Sequence, residues 1–394
     1  KSFESAVWAM ALPASDPGPP VEGATAPCQD PPQLVVAEAE PALGVGHFAR
    51  VLRGTWRARP AAVKVHHPRF ADVAQHEAKI LAAAQGPGVI GLLEVVGPVE
   101  IPRVVMEVAE GDLLKPLHAA FGRIPDSTFL RKVCEDLLAG LVHLHSLDLV
   151  HTDVKPENAV LAGGSWKWCD FGNACRVAEK VSDFIQTPPY RSPEVVLGAG
   201  YGTPADVWSW GCLQYEIVTG GRYLFEPKGE GELTADGCVL QLHTAMLGPL
   251  PLSLVQKARR LEEHFGPSSV LGTDPAALGA AGRPTGLPAA LQRWGLRQHG
   301  ALHTLLMGCL EMEPSLRWSA ARAGEAVAAG ALHRVEAPRA ATTTSSCSQS
   351  RSRGRRRARR RPARDRSSSG RRNGGRSRSR SRDGGTRARG GRRR

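Results

Sequence analysis

The sequence predicts an α+β protein of two unequal lobes, a small strand-rich lobe with one helix followed by a larger helical lobe. Three observations predict it. Short β-like runs crowd residues 34–108 around a single helical stretch, the apolar period becomes helical from about Ser127, and a cluster of polar residues sits where the patterns meet. The chain has 394 residues, enough for a sizeable core. No apolar run approaches the ~18 residues that a membrane-spanning helix needs, so no membrane partner is expected.

Residues 1–33, with PGPP and DPPQ, predict a disordered leader. Within it AVWAMALPAS resembles the core of a secretion signal, but it follows Glu4 in a chain that opens on Lys1, so a trimmed or partial N-terminus is expected. QLVVAEAE, HFARVLRG and AAVKVHH then read as strands. Ala71–Gln85 reads as a helix with Val73, Glu77, Ile80 and Leu81 on its faces, and VIGLLEVVG and RVVMEV as two further buried strands. The small lobe is placed at 34–107 and the larger at 108–335. Phe129, Leu130, Val133, Leu137, Leu138, Leu141 and Leu144 keep helical spacing behind Asp126 or Ser127 as N-cap. A second strong helix is bounded by Pro204 in its first turn and Gly220 at its stop. Residues of about 221–300 are rich in Gly, Pro and Ala and read as an insert with short helical pieces. HTLLMGCLEMEPSLRWSAARAGEAV closes the fold, and 336–394 predict a disordered Arg/Ser-rich tail.

Charge is divided unevenly. Residues 351–394 hold 21 Arg and two Asp, a net +19 against +13 for the whole chain, which leaves −6 on residues 1–350. The eight cysteines form no C-x-x-C pair and fit free thiols in a reducing compartment.

Three stretches carry chemistry. LGVGHFARV (43–51) puts Gly44, Val45 and Gly46 between two strands, where bare backbone N–H groups can approach phosphate oxygens. A plain hairpin reads the same way. AAVKV buries Lys64 in an apolar strand; it either snorkels at an edge or holds phosphates while paired with Glu77. LVHTDVKPENAVL (149–161) is far more specific. Asp153 can accept a hydroxyl proton, Lys155 can reach a transferring phosphoryl group, and Asn158 can ligate Mg²⁺, with Asp170 of KWCDFG as second metal ligand. Phosphoryl transfer needs this set: an aligned nucleophile, a cation on the phosphate oxygens and a nearby carboxylate.

Over residues of about 40–335 the chain resembles the eukaryotic protein kinases, block by block. The resemblance implies the protein kinase fold, with a small lobe of five strands and one helix, and ATP and Mg²⁺ in the cleft. It implies Met106 as gatekeeper, Glu107 and Val108 as the adenine-binding hinge, and Val51, Ala62 and Val160 around the ring. It further implies a Glu194–Arg317 pair, Asp206 as a brace for the catalytic loop, Thr187 hydrogen-bonded to Asp153 and Lys155, and Tyr190 and Arg191 beside the phosphoacceptor pocket. HTDVKPEN, DFGNAC, IQTPPYRSPEV and GYGTPADVWS together resemble the serine/arginine-rich protein kinases, ahead of the LAMMER-type and dual-specificity tyrosine-regulated kinases. That implies transfer to Ser in Arg/Ser-rich splicing factors by a monomer of cytoplasm and nucleus. A pseudokinase scaffold recruiting RNA-processing proteins is the competing class. Ala49 replaces a third glycine, and Gly221 or Arg222, Cys238 and Ala245 stand where the family has docking acids. Glu226, Glu230, Glu232 and Asp236 remain as substitutes.

Thr152 stands where many kinases have an arginine that needs a phosphate on the activation segment, so activity without that phosphate is expected. The tail suits several roles. A cis pseudosubstrate or autophosphorylation site would use Ser350, Ser352, Ser377, Ser379 and Ser381 as acceptors, RRRARRR (355–361) suits nuclear import, and the arginines suit Arg/Ser-domain or non-specific RNA contact. A merely solvated end has the same composition.

Overall fold

The computed structural model describes residues 33–227, 235–260, 262–263, 286–293, 296 and 300–332. The leader up to residue 32, the tail with its serines and basic run, and Glu230 and Glu232 lie outside them.

The small lobe is built on β1 (Leu34–Val36), β2 (Gly44–Val45), β3 (Ala49–Trp56) and β4 (Arg59–His66), then helix α1 (Ala71–Ala83), β5 (Leu92–Val96) and β6 (Arg103–Met106). The sheet is antiparallel in the order β1-β3-β4-β6-β5. Five strands were expected and six are present, because the first is broken in two. β1 pairs with the far end of β3 (Val36↔Gly54) and β2 with its near end (Gly44↔Val51), so both lie along one edge. Ala61, Val63, Leu81, Val104 and Val105 are wholly buried in this lobe.

The larger lobe opens with β7 (Gly111–Asp112), α2 (Leu114–Ala119) and α3 (Ser127–Ser146). Asp126 caps α3 by accepting from the amides of Thr128 at 2.8 Å and Phe129 at 3.3 Å. β8 (Leu149–Val150), β9 (Ala159–Ala162), β10 (Ser165–Trp168) and β11 (Cys175–Arg176) follow, then α4 (Pro193–Val196) and α5 (Pro204–Val218). Every residue of α5 from Ala205 onward is buried, which makes it the axis of the lobe. Gly220 ends it at φ +69°, where a Cβ would strike the Arg123 carbonyl at 2.2 Å. α6 (Ala235–Leu247), α7 (Leu252–Lys257), α8 (Leu287–Arg293), α9 (Gly300–Cys309) and α10 (Ala320–Ala328) complete the described part. No helix among the described residues is long and apolar enough to cross a membrane.

The lobes are stitched together behind the cleft. The Trp168 amide donates to the Gly88 carbonyl at 2.8 Å, and Ile90 donates back to the Trp168 carbonyl at 2.9 Å. Gly140 of α3 permits this approach, since a Cβ there would lie 2.7 Å from both the Gly88 oxygen and the Trp168 ring. The buried Trp168 indole donates to the Leu137 carbonyl at 2.8 Å and fixes the strand that leads into Asp170.

Candidate active site

The loop from His151 to Asn158 leaves β8 and is shaped from below by α5. The amides of His151 and Thr152 donate to Asp206 Oδ2 and Oδ1 at 2.8 and 2.9 Å, and His145 Nε2 meets Oδ2 at 3.0 Å. His151 Nδ1 accepts from the Asp153 amide at 3.3 Å, so its Nε2 carries the hydrogen and donates to the Cys169 carbonyl at 3.1 Å. One imidazole therefore spaces the catalytic loop from the segment holding Asp170.

Asp153 sits in a net of charged and polar groups. Lys155 Nζ lies 2.6 Å from its Oδ2, and Thr187 Oγ1 donates to its Oδ1 at 2.8 Å. Lys155 also donates to Thr187 Oγ1 at 3.0 Å. Asn158 Nδ2 donates to the Asp153 carbonyl at 2.8 Å and to Oδ2 at 3.1 Å, which leaves the Asn158 Oδ1 lone pairs for a cation. The Cys169 amide donates to the Asn158 carbonyl at 2.9 Å and keeps Asp170 beside it.

Lys64 does not snorkel. Its ammonium lies 2.6 Å from Glu77 Oε1 and 2.8 Å from Asp170 Oδ1, joining sheet, α1 and the larger lobe. Burial opposes its charge, but the two carboxylates prevail and raise its pKa above the usual lysine range. Asp170 is at φ +64° with its side chain half exposed. Burial works against its ionisation too, yet the Lys64 charge and hydrogen bond hold it at about 2. Among the described residues no three His, Cys, Asp or Glu side chains could cage a metal. Two oxygen ligands, Asp170 and Asn158, suit Mg²⁺, which takes its remaining ligands from phosphate and water.

At the other end of the cleft, Met106 is buried and in register with Ala62 across β4–β6. The Glu107 amide donates to the Gly91 carbonyl at 2.9 Å, and its carboxylate is held by Lys167 Nζ and the Gly91 amide, each at 2.6 Å. Val51 and Val160 are half-buried; Gly44 and Val45 form β2, paired with Val51 and Arg50, and Gly46 opens the β2–β3 turn, its amide donating to the Ala49 carbonyl at 2.9 Å. Two polar residues next to the expected ones were missed in the sequence: Lys167, which pairs with Glu107, and Asp112, opposite Val160 in the β7–β9 pairing. Gly111–Asp112 behind a hinge-like run was the available signal for the second.

One expectation needs correction, and it concerns Asp236. Tyr190 and Arg191 are both buried. The Tyr190 hydroxyl donates to Glu216 Oε2 at 2.6 Å, and Arg191 pairs with Asp236 and donates to the Gln186 carbonyl. Asp236 is thereby consumed inside the fold and is no substitute docking acid, whereas Glu226 is exposed. The Glu194–Arg317 pair is present and bidentate, at 2.7 and 2.9 Å.

The described family "Protein kinase domain" matches residues 37–327. Dual specificity tyrosine-phosphorylation-regulated kinase 3 of Macaca fascicularis is 32% identical over 212 residues, 49% of this chain and 36% of the relative. A DYRK-family kinase of Schizosaccharomyces pombe is 32% identical over 50% of this chain and 18% of its own length. Serine/threonine-protein kinase D2 of Rattus norvegicus is 36% identical over 45% of this chain and 22% of its own. The matched stretch thus spans little more than a third, or less, of these relatives. A crystal structure of a kinase domain superposes with a TM-score of 0.60 at 22% identity, covering 72% of this chain and 92% of the other.

Proposed function

Because this chain belongs to the protein kinase domain family, we propose that it transfers the γ-phosphoryl group of ATP to serine or threonine hydroxyls in Arg/Ser-rich proteins. The observation that carries the reading is the convergence of Asp153, Asn158 and Asp170 with the Lys64–Glu77 pair. Asp153, poised by Thr187 and Lys155, receives the acceptor hydroxyl's proton. Lys155 stands where charge develops on the transferred group, and Lys64 holds the nucleotide's phosphates. Asp170 and Asn158 hold Mg²⁺, which when bound neutralises the phosphate oxygens. Gly44, Val45 and Gly46 cover the phosphates, while Val51, Ala62, Val160, Met106 and the 107–108 backbone enclose the adenine.

A basic substrate is favoured by the −6 charge of residues 1–350. The same reading gives the tail to Arg/Ser-domain or RNA contact and nuclear import, in a monomer shared between cytoplasm and nucleus. Dual-specificity transfer is the second reading, and the DYRK-type relatives favour it. An Mg·ATP assay on an Arg/Ser peptide, comparing wild type with Asp153→Ala, tests the proposal. Phosphate on serine in wild type alone supports it. Phosphotyrosine as well supports the second reading, and no transfer favours a scaffold.

A further inference from the structure

β4 presents two polar side chains to α1. Lys64 and His66 are two residues apart in a strand and so share a face, and both reach Glu77. Glu77 Oε1 is occupied by the Lys64 ammonium at 2.6 Å and the Phe171 amide at 3.3 Å. Its Oε2 faces His66 Nε2 at 3.0 Å, with both side chains 1% exposed.

The approach lies off the line of a well-formed hydrogen bond, and among the described residues neither Oε2 nor either imidazole nitrogen has any hydrogen-bond partner, so this contact is the one that Oε2 and Nε2 have. Buried polar atoms are costly unless they answer one another. A bare lone pair on Nε2 would repel the carboxylate at this range, so Nε2 carries the hydrogen. Packing alone does not call for an imidazole here, since an apolar side chain would fill the same space without a desolvation cost.

Lys64 is shared between Glu77 and Asp170. Ligands that draw Lys64 and Asp170 toward phosphate and cation weaken its hold on Glu77, while the Oε2 contact is independent of them. We propose that His66 is a positioning residue for phosphoryl transfer, holding the second oxygen of Glu77 so that α1 stays against the cleft while nucleotide occupies Lys64. This rests on the kinase reading above.

The test compares His66→Leu and His66→Gln with wild type in kcat, KM for ATP, KM for an Arg/Ser peptide, and affinity for an Mg²⁺-loaded non-hydrolysable ATP analogue. His66→Leu is expected to weaken analogue binding and raise KM for ATP about ten-fold, the size of one lost buried hydrogen-bonding partner, with peptide KM unchanged. His66→Gln, which keeps an N–H donor, is expected to recover most of that loss. Leu and Gln variants that behave alike, or a Leu variant within about two-fold of wild type in analogue affinity, overturn the proposal. Should His66→Leu fail to fold, ¹⁵N-histidine spectra of the wild-type chain decide: a protonated Nε2 is expected, and a bare one overturns it. Analogue binding and the nitrogen shift need no phosphoacceptor, so failure of the substrate reading is distinguishable from failure of this one.

Discussion

The Gln186 amide donates to the Thr152 carbonyl at 2.9 Å, and both residues lie in the left-handed region, at φ +66° and +70°. Such a backbone is costly for residues with a Cβ, above all a β-branched one. It persists because Gln186 is a buried hub. Its side-chain amide donates to the Ala205 carbonyl at 2.9 Å and Ser209 Oγ at 2.8 Å, its Oε1 accepts from the Ser192 amide at 2.9 Å, and its carbonyl accepts from Arg191 Nη2 at 2.6 Å. Gln186 is thereby anchored to the catalytic loop and α5 through its backbone and side-chain amides, and within its own segment to the Arg191 guanidinium.

Activity is therefore expected to be independent of activation-segment phosphate. Bacterially produced protein, treated with phosphatase and assayed beside untreated protein, should keep its turnover within about two-fold. A collapse on dephosphorylation would show that a phosphate orders the segment after all.

Gln186→Ala removes the hub. The Ala205 carbonyl, Ser209 hydroxyl and Ser192 amide lose a buried partner, a cost of about 2–4 kcal/mol. The expected result is a lower denaturant midpoint and a kcat reduced at least ten-fold, because Thr152 precedes Asp153. Unfolding curves and steady-state kinetics on the same preparation check both; unchanged kcat would detach the hub from catalysis.

What the sequence made legible was local. The Asp126 cap, the Pro204 and Gly220 bounds of α5, and the Asp153, Asn158, Asp170 spacing are short-range signals that later packing respects. What it hid was decided across distance. The split first strand depends on how residues 34–45 pair with β3, not on their own propensity. Arg191 and Asp236 are 45 residues apart and Lys167 and Glu107 are 60 apart, so an exposed-looking charge gave no hint of its partner. His66 read as one more strand residue, because the helix face it meets is invisible until the lobe is folded.

Arg317 and Glu194 carry a different kind of prediction. Their side chains are 0% and 1% exposed, and Arg317 also donates to the Pro204 carbonyl at 2.9 Å. Removing one partner strands a buried charge, so Arg317→Ala should cost about 3–5 kcal/mol. Replacing both with apolar residues of like volume should cost less than either single change. A double-mutant cycle by chemical denaturation reads this directly, and additive losses would mean the two charges are uncoupled.

Glu216 sets a pH dependence of stability. Burial pushes its carboxyl up to about 7, against the opposing hydrogen bond from Tyr190 and with some help from the Glu157 charge. Between the ordinary glutamate pKa, about 4.3, and 7, the folded chain holds a proton that the unfolded chain has lost. Stability from this residue is therefore greatest at acidic pH, declines as pH rises through that window and is flat above it. The whole effect is on the order of 3 kcal/mol. Glu216→Gln keeps an acceptor for Tyr190 but cannot ionise. It should raise the melting temperature relative to wild type at pH 8 and bring no gain at pH 4.5. Thermal unfolding of both proteins across that range checks the sign; a variant less stable than wild type at pH 8 would mean the charged carboxylate is favoured inside the fold.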